Sequence, residues 1–453
     1  MHTRCRQNNR VLVFGLLTAL GLFSVSGAGR RDDLSGIWRS LGYGMILDIA
    51  GERVAVYQEV GGRVLESSVE RARRAGIRLH FEIVPFAYKS EFECALAGNM
   101  LVLSELETGR EIVLERIQEI PPRDSKTAGS RENFEYFAAL FEELYPAFEE
   151  RKVDWLSVTR RFRARLVPGM EAEELFSLFC AMLDEFGSDG HIAISDGKGN
   201  SYSPARRLAT PMARAENLAR QLAIIKKEYL GGRFEEAANG KILFSVVRDI
   251  GYLNILAVND LAADASMAAQ RASVNEALEM IRVAFAPARA IILDLRHNRG
   301  GFDSLSLMIA GLFADSRHVA FSKRIRIQGS RRFTEPRVFH VLPRVPGLSG
   351  KPLVLLTSRA TASGAEILVL ATMQFPQVRR FGAATMGVLS DTFVRELPNG
   401  WQVRLYSERY YAFDGSTFEA AGIPVHREIA HASEDLAQNL DPVLEAVFAE
   451  LRK

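Results

Sequence analysis

Two short polar segments, each directly after an apolar run, hold the residues of this 453-residue sequence that are best suited to chemistry. The first, residues 294–301, reads Asp-Leu-Arg-His-Asn-Arg-Gly-Gly. Because glycine has no β-carbon, the backbone amide of Gly301 could approach a reacting group closely and donate a hydrogen bond to a developing oxyanion. The same pattern is typical of an ordinary turn from a strand into a helix, and both interpretations are open.

The second segment, residues 361–366, reads Thr-Ala-Ser-Gly-Ala-Glu and leads into an apolar helix. Its serine, Ser363, would lie at a turn between a strand and a helix with its hydroxyl exposed, and the next amide, that of Gly364, could serve an oxyanion. The spacing of Ser363 and Glu366 is equally typical of a capping box, in which the two side chains bond the backbone at the start of the helix. One serine could be both a nucleophile and a cap.

The apolar runs around these segments predict the elements that must position them. Residues 250–255, 290–295 and 352–356 predict strands, and residues 265–285 predict a helix. Nearly continuous apolar strands are typical of parallel sheets, which are buried on both faces. Ligands of such sheets bind at the carboxyl ends of the strands. The predicted fold class of this part of the chain is therefore α/β, with its chemistry at the strand ends.

The residues before this core divide by pattern into further segments. Residues 1–28 combine three arginines, the apolar run 11–25 and a Ser-Gly-Ala end, the layout of a secretory signal peptide. We therefore expect an exported protein, periplasmic or secreted, with no stable membrane insertion after cleavage. The other predicted boundaries are a small all-β domain (barrel or sandwich) at 33–118, a linker at 119–130, a helical domain at 131–198 that ends in the turn at His191, a charged helical connector at 199–240, the α/β core at 241–432 and a C-terminal helix at 433–453.

Composition excludes several classes of function. Hydrophobic residues make up 47% and charged residues 25% of the chain, as in globular proteins, and the net charge of +2 gives no basic signal for nucleic acid. Of the three cysteines, Cys5 falls in the signal peptide. Cys94 and Cys180 are expected to be buried thiols, with a disulfide as the alternative. The sequence therefore predicts no metal site and no cofactor.

The two polar segments at their spacing resemble the tail-specific, or C-terminal processing, serine protease family. The resemblance covers residues 131–430 and includes three further motifs, Gly382 to Gly387, Pro398-Asn399-Gly400 and Gly422-Ile423-Pro424. The regions of Val153-Asp154-Trp155 and Asp189-Gly190-His191 are similar to the bacterial and tricorn-like members. The resemblance implies a crotonase-like ββα core and a serine peptidase that forms an acyl-enzyme with a peptide or unfolded-protein substrate.

The same resemblance implies roles for individual residues. Ser363 would be the nucleophile, and the amides of Gly301 and Gly364 would form the oxyanion hole. Many family members activate the serine with a lysine on the downstream strand, but this sequence has no lysine between Lys351 and Lys453. The general base must therefore be of another type.

The tricorn-like branch uses a histidine base that is oriented by a glutamate, which implies His191 and Glu419 here. His297, next to the oxyanion glycines, is the second candidate for the base, and Glu366 is the second candidate for the orienting carboxylate. The predicted catalytic residues are therefore Ser363, His191 and Glu419.

Two departures from the family pattern keep other functions open. The interval from His191 to Gly251 is too short for a peptide-binding PDZ module, and Pro424 is followed by valine and histidine instead of aspartate. The six arginines within residues 323–344 could grip a substrate carboxylate in place of that module, or could belong to a solvated strand pair. The alternatives to a serine peptidase are a non-catalytic binding module, like the retinoid-binding relatives of the family, and an esterase. A homo-oligomer is compatible with each of these functions.

Overall fold

The computed structural model describes residues 34–83, 88–105, 110–123, 129–207 and 211–452. The predicted signal peptide, residues 1–28, lies outside the described residues, as does the middle of the predicted linker. Within the described ranges, no helix combines the length and the apolar character that crossing a membrane requires.

The first strands of the chain close into a barrel. Their bounds are β1 (Gly36–Ser40), β2 (Met45–Ala50), β3 (Arg53–Val60), β4 (Arg63–Glu66), β5 (Glu70–Ala75), β6 (Arg78–Ile83), β7 (Tyr88–Ala97), β8 (Met100–Glu105) and β9 (Glu111–Ile117). The ring runs β2-β1-β9-β8-β7-β6-β5-β3 and is closed by the pairing of β2 with β3, while β4 lies beside β3. Closure pairs the strand edges that an open sheet would expose. The predicted all-β domain is confirmed, and of its two alternatives the barrel is correct.

Three helices follow the barrel: α1 (Ser130–Leu144), α2 (Trp155–Arg163) and α3 (Ala172–Leu183). The predicted apolar face of α1 carries Phe134, Phe137 and Phe141, which are fully buried. These rings belong to one hydrophobic core with barrel residues such as Trp38 and Leu47. The barrel and the helical segment are therefore packed as one body, residues 34–195, which we call the N-terminal unit.

The remaining elements begin with β10, which ends the N-terminal unit, and the others form the rest of the molecule. In chain order they are β10 (Ala193–Ser195), β11 (Ser201–Tyr202), α4 (Ala215–Ile224), β12 (Glu235–Ala237), β13 (Ile242–Val247), β14 (Ile250–Ile255), α5 (Met267–Phe285), β15 (Ala290–Asp294), α6 (Asp303–Ala310), β16 (His318–Ile325), β17 (Arg337–Val341), β18 (Leu353–Thr357), α7 (Gly364–Thr372), β19 (Val378–Gly382), β20 (Phe393–Glu396), β21 (Gln402–Leu405), β22 (Glu408–Tyr411), β23 (Arg427–Glu428), α8 (Ser433–Ala437) and α9 (Pro442–Leu451).

A sheet in the order β12-β13-β14-β15-β18-β19-β23 is the centre of the second body. Strands β14, β15, β18 and β19 are parallel, and the first three are the apolar runs that predict strands. Side chains of α5, α6 and α7 share one hydrophobic core with this sheet. The predicted α/β core is confirmed. Asp294 is in register with Leu356, so the ends of β15 and β18, where the two polar segments begin, lie side by side.

Two smaller sheets complete the fold, and the first of them joins the two bodies by strand pairing. Strand β10, which follows His191, pairs with β21 in the sheet β11-β10-β21-β20. Strand β16 pairs with β17 and with β22. The arginine-rich residues 323–344 therefore contribute a strand pair, the second of the two interpretations offered by the sequence.

The C-terminal segment, residues 433–453, contains two helices where the sequence analysis predicts one. The carboxylate of Asp441 accepts a hydrogen bond from the amide of Leu444 at 3.0 Å, and Pro442 occupies the first turn of α9. Aspartate before proline is a favourable start for a helix, so a new helix begins at this point.

Candidate active site

Ser363 lies at a sharp turn between β18 and α7. Its backbone has φ +55° and ψ −129°, a combination that non-glycine residues rarely adopt. The amide of Ser363 donates to the carbonyl oxygen of Val388 at 3.0 Å and to Glu366 Oε2 at 3.1 Å, so one half of the predicted capping box is present. The side chain of Ser363 is partly exposed. The turn therefore presents a serine to solvent in a strained conformation that its neighbours maintain.

Glu366 is the residue that maintains this turn. Its fully buried carboxylate accepts from Thr385 Oγ1 at 2.5 Å and from the amides of Gly387 at 2.8 Å and Val388 at 2.9 Å, in addition to Ser363. Burial raises the pKa of Glu366, and these hydrogen bonds oppose that shift. Both carboxylate oxygens are occupied in joining the turn to residues 385–388. Glu366, the second candidate for the orienting carboxylate, thus uses both oxygens to support the serine turn.

The glycine pair of the first segment lies directly against the Ser363 turn. A β-carbon added to Gly300 would lie 2.7 Å from the β-carbon of Ser363, and one added to Gly364 would lie 2.6 Å from the carbonyl oxygen and 3.0 Å from the nitrogen of Gly301. Gly300 and Gly301 have φ of +104° and +139°, where other residues are strained.

The amides of Gly301 and Gly364 are available as donors. The hydrogen bonds that hold this loop run from Val258 to the oxygen of Gly300, at 3.0 Å, and from Phe302 to the oxygen of Val258, at 2.8 Å. Among the residues described, no acceptor is bonded to the amide of Gly301 or to that of Gly364. Two unpaired amides beside a serine are the arrangement that an oxyanion hole requires.

His191 follows a short turn and is partly exposed. Its amide donates to Asp189 Oδ1 at 2.9 Å, and its ring lies edge-on to the ring of Tyr406, with 6.1 Å between centroids. The buried Nδ1 of His191 has no hydrogen-bond partner in the described part of the chain. Burial lowers the pKa of His191 to about 4, opposed mainly by Asp189. The imidazole is therefore neutral at pH 7 and able to accept a proton.

The His191 turn and the Ser363 turn pack against the same short stretch. A β-carbon added to Gly190 would lie 3.5 Å from Met386 Sδ and 3.9 Å from Val388 Cγ1. The carbonyl oxygen of Val388 is the acceptor for the Ser363 amide. The structure thus brings the predicted base and the predicted nucleophile to two sides of residues 386–388.

Glu419 lies in a buried polar network beside these residues. Its Oε1 accepts from Arg151 Nη2 at 2.5 Å and from the Tyr406 hydroxyl at 3.0 Å, and its Oε2 accepts from the amide of Leu389 at 3.2 Å. Burial raises the pKa of Glu419 to about 7, which Arg151 opposes and Asp189 reinforces. No hydrogen bond joins Glu419 to His191 within the described residues. The sequence analysis predicts that Glu419 orients His191, and in the structure Tyr406 contacts both residues.

His297, the second candidate for the base, has a different neighbourhood. Its Nδ1 lies 3.2 Å from Asn254 Nδ2, and burial lowers its pKa to about 4. The nearby guanidinium of Arg296 is paired with Asp294 at 2.6 Å and with Asp441 at 2.8 Å. His297 therefore belongs to a cluster built on Arg296 at the end of β15.

Sequence reasoning missed Arg151, Tyr145 and Tyr406, which complete the network at Glu419. The Tyr145 hydroxyl donates to Asp189 Oδ2 at 2.6 Å, and the Tyr406 hydroxyl lies 2.9 Å from the same oxygen. The one available signal was the position of Arg151 just before the Val-Asp-Trp segment that resembles the protease family.

Sites for other chemistry are not apparent in the described ranges. In these ranges, no group of three or more His, Cys, Asp or Glu side chains is arranged to hold a metal ion. Cys94 and Cys180 are both free thiols, the first buried and the second partly so, and burial raises the pKa of each. Neither is therefore a reactive thiolate at neutral pH.

Comparisons with known proteins give one family match, over part of the chain. Residues 249–429 match peptidase family S41, and this range contains the glycine loop, Ser363 and Glu419. No curated protein sequence matches the chain. Among solved structures, a candidate peptidase from Parabacteroides merdae is 25% identical with a TM-score of 0.62, covering 72% of this chain and 97% of its own. Mature CPAF is 11% identical with a TM-score of 0.53, covering 70% of this chain and 96% of its own, and this likeness shows the fold alone.

Proposed function

Residues 249–429 form a domain of peptidase family S41, and on that basis we propose that this protein is an exported serine peptidase that cleaves peptide bonds through an acyl-enzyme on Ser363. The observation that carries the proposal is the pair of unpaired amides, Gly301 and Gly364, beside a serine in a strained turn. Such donors stabilise charge that develops on the carbonyl oxygen during acyl transfer, and do so without reorganisation.

In the proposed reaction, neutral His191 takes the proton of Ser363 as the hydroxyl oxygen attacks the peptide carbonyl carbon. The carbonyl oxygen becomes an oxyanion and accepts hydrogen bonds from Gly301 and Gly364. The imidazolium then gives its proton to the leaving amine, and the acyl group stays on Ser363 as an ester. A water molecule, deprotonated by His191, attacks that ester and releases the second product.

Burial disfavours the imidazolium that this reaction forms, so the site must supply compensating negative charge. Asp189 and Asp391 both favour the charged form of His191. Glu419 is separated from His191 by Tyr406, whose hydroxyl contacts Glu419 and whose ring lies edge-on to the imidazole. We assign Glu419 the orienting role through this contact rather than by direct bonding to the ring.

Covalent labelling tests the nucleophile. A fluorophosphonate probe should label the wild-type protein and the Ser177→Ala control, in which an exposed serine of α3 is removed, but should not label Ser363→Ala. Peptide mapping of the adduct should place it on Ser363. Labelling that persists in Ser363→Ala, or a wild type that is not labelled, would contradict the proposal.

Two further measurements separate the alternatives. A non-catalytic binding module would not be labelled at all, whereas an esterase would be labelled but would turn over esters and leave peptides intact.

The prediction of export rests on residues 1–28 alone. The intact mass of the exported protein should correspond to a chain that begins near Gly29, and a mass that retains residues 1–28 would contradict this part of the proposal.

A further inference from the structure

We propose that Arg151 is a positioning residue that holds the His191 turn, Glu419 and the Ser363 turn in one arrangement. The inference rests on the proposed function, because positioning matters only if these residues react together. Arg151 lies in the loop between α1 and α2, in the N-terminal unit, outside the range that matches peptidase family S41. Its side chain is only 2% exposed.

Three contacts of the guanidinium carry the inference. Arg151 Nε lies 3.0 Å from Asp189 Oδ2, while Nη2 lies 2.5 Å from Glu419 Oε1 and donates to the carbonyl oxygen of Gly387 at 3.0 Å. The other oxygen of Asp189 accepts from the amide of His191. One planar group thus joins the base, the orienting carboxylate and residues 387–388, which hold the serine.

The two tyrosines of this network have too few donor hydrogens to stabilise both carboxylates, so a cation is needed beside them. The Tyr145 hydroxyl donates to Asp189 Oδ2, and the Tyr406 hydroxyl lies 2.9 Å from that oxygen and 3.0 Å from Glu419 Oε1. A phenol has one hydrogen, so Tyr406 can donate to only one of the two carboxylates. Arg151 faces both and compensates their charge. Without it, one carboxyl group would take up a proton, because two buried like charges at this separation cannot both ionise easily.

The shape of the side chain matters as well as its charge. A guanidinium is planar and presents several N–H groups in fixed directions, which matches contacts to three different chain segments. A lysine ammonium would keep the charge but could not reproduce all three contacts. The inference therefore predicts that Arg151→Lys is intermediate between wild type and a variant without charge.

Peptide cleavage across a range of pH tests the inference. Displacing a catalytic group by about 1 Å can cost about 100-fold in rate, so Arg151→Met should lower kcat by about 100-fold with KM changed far less. Because Arg151 lowers the pKa of Glu419, its loss should also move the acidic limb of the kcat profile to higher pH. Arg151→Lys should keep this limb near its wild-type position. The control Arg163→Met, which removes an exposed pair with Glu135, should match wild type in both respects.

The pH dependence expected here depends on the charged and titratable groups around His191 and Glu419. Those facing His191 are Asp189, Asp391, Arg404 and Arg151; those facing Glu419 are Arg151, Asp189, Tyr145 and Tyr406.

If Arg151→Met does not fold, the double variant Arg151→Met/Glu419→Gln restores the balance of charge while the contacts to Asp189 and Gly387 stay lost. Its kcat should lie well below that of Glu419→Gln alone. A double variant with the same kcat as Glu419→Gln, or a single variant with a lower melting temperature but an unchanged profile, would overturn the inference.

An NMR titration of His191, which needs no catalytic activity, tests this inference independently of the proposed function. In a Ser363→Ala background, the His191 ring can be titrated by NMR with carbon-13-labelled histidine. Arg151 lowers the pKa of His191, so Arg151→Met should raise it. If the wild type cleaves no peptide but the titration shifts, the proposed function fails and the linkage stands. If the wild type cleaves peptides and Arg151→Met changes neither the titration nor kcat, only the positioning inference fails.

Discussion

Two buried arginines lie near the proposed catalytic serine, each between two carboxylates. The two sites differ in the pKa of those carboxylates. Arg296 joins Asp294 and Asp441, and its charge helps to hold the pKa of Asp441 at about 2. Arg151 joins Asp189 and Glu419, yet burial still raises the pKa of Glu419 to about 7. Both carboxylates of the first cluster are ionised at neutral pH, whereas Glu419 in the second can exchange a proton.

The two candidate bases lie one in each cluster, but their own properties do not show this contrast. His297 in the first cluster and His191 in the second both have a pKa that burial lowers to about 4, and each has a buried ring nitrogen without a partner among the described residues. Burial and pKa therefore do not identify the base. Both histidines are connected to the serine segment: His191 through Asp189 and Arg151 to residues 387–388, and His297 through its neighbour Asn298, whose carbonyl oxygen accepts from the amide of Ala362 at 3.2 Å. The choice between them therefore stays a prediction for mutagenesis.

The largest expected effect comes from removing each histidine in turn. His191→Ala should lower kcat for peptide cleavage by about 10⁴- to 10⁶-fold, as loss of a triad member does. His297→Ala should stay within about 10-fold of wild type, since its ring contacts Asn254 and faces the charges of the cluster built on Arg296. Melting temperatures measured on the same samples show whether each variant is folded. The reverse ranking of kcat would move the role of base to His297.

The next effect is on stability and concerns the cluster built on Arg296. Arg296→Met leaves Asp294 and Asp441 buried without their cation, which should cost about 3–5 kcal/mol in the free energy of unfolding. Urea denaturation measures this cost. The control Arg282→Met, whose pair with Glu279 is at the surface, should leave the unfolding midpoint unchanged. An unchanged midpoint in Arg296→Met would show that this cluster is not structural.

A smaller effect is expected where the support of the serine is altered. In Glu366→Gln one carboxylate oxygen becomes an amide nitrogen, which cannot accept from the donors that it meets. An unsatisfied buried donor costs about 1–3 kcal/mol, so both stability and kcat should fall. The exposed Glu276→Gln is the matched control. Normal kcat in a folded Glu366→Gln protein would mean that the serine turn does not depend on this carboxylate.

The smallest effect is a difference in how stability depends on pH. Glu419 has a raised pKa in the folded state, so its contribution is fully present below pH 4.5 and is lost as the pH rises to about 7. Asp441 has a lowered pKa, so its contribution is present above pH 4 and is lost as the pH falls towards 2. Melting temperatures of Glu419→Gln and Asp441→Asn, each subtracted from wild type, should therefore change with opposite sign in separate windows. Parallel curves would refute the contrast between the clusters.

The parts of the molecule that sequence could predict are those set by short stretches of chain. Strand β14 has the bounds that its apolar run indicates, and the Ser363 turn and the glycine loop follow from residues adjacent in sequence. The network at Glu419 is different. Arg151 and Glu419 are separated by 268 positions, and no periodicity marks an arginine in a loop as buried. Only the folded arrangement shows that its charge faces two carboxylates.

The packing of the N-terminal unit was equally hidden. Amphipathic strands and helices indicate that each has an apolar face, but they do not show which faces meet. The sequence therefore predicts a β domain and a helical domain separated by a linker, and the structure adds that Trp38 of the barrel and Phe137 of α1 belong to one core. The start of α9 is a contrasting case, because Asp441 before Pro442 was a readable local signal.

This shared core has a consequence for how activity would be lost on heating. Ile192 and Ile194, which flank Ala193 at the start of β10, belong to the hydrophobic core that joins the N-terminal unit to β20 and β21, whereas Ile367 and Leu368, behind Ser363, belong to the core of the α/β body. Regions with separate cores can unfold as separate cooperative units. If the core that contains Ile192 and Ile194 melts first, Ser363 and its neighbouring amides persist in a folded body that has lost the proposed base. Partial denaturation in that order would remove the proposed activity before the α/β body unfolds.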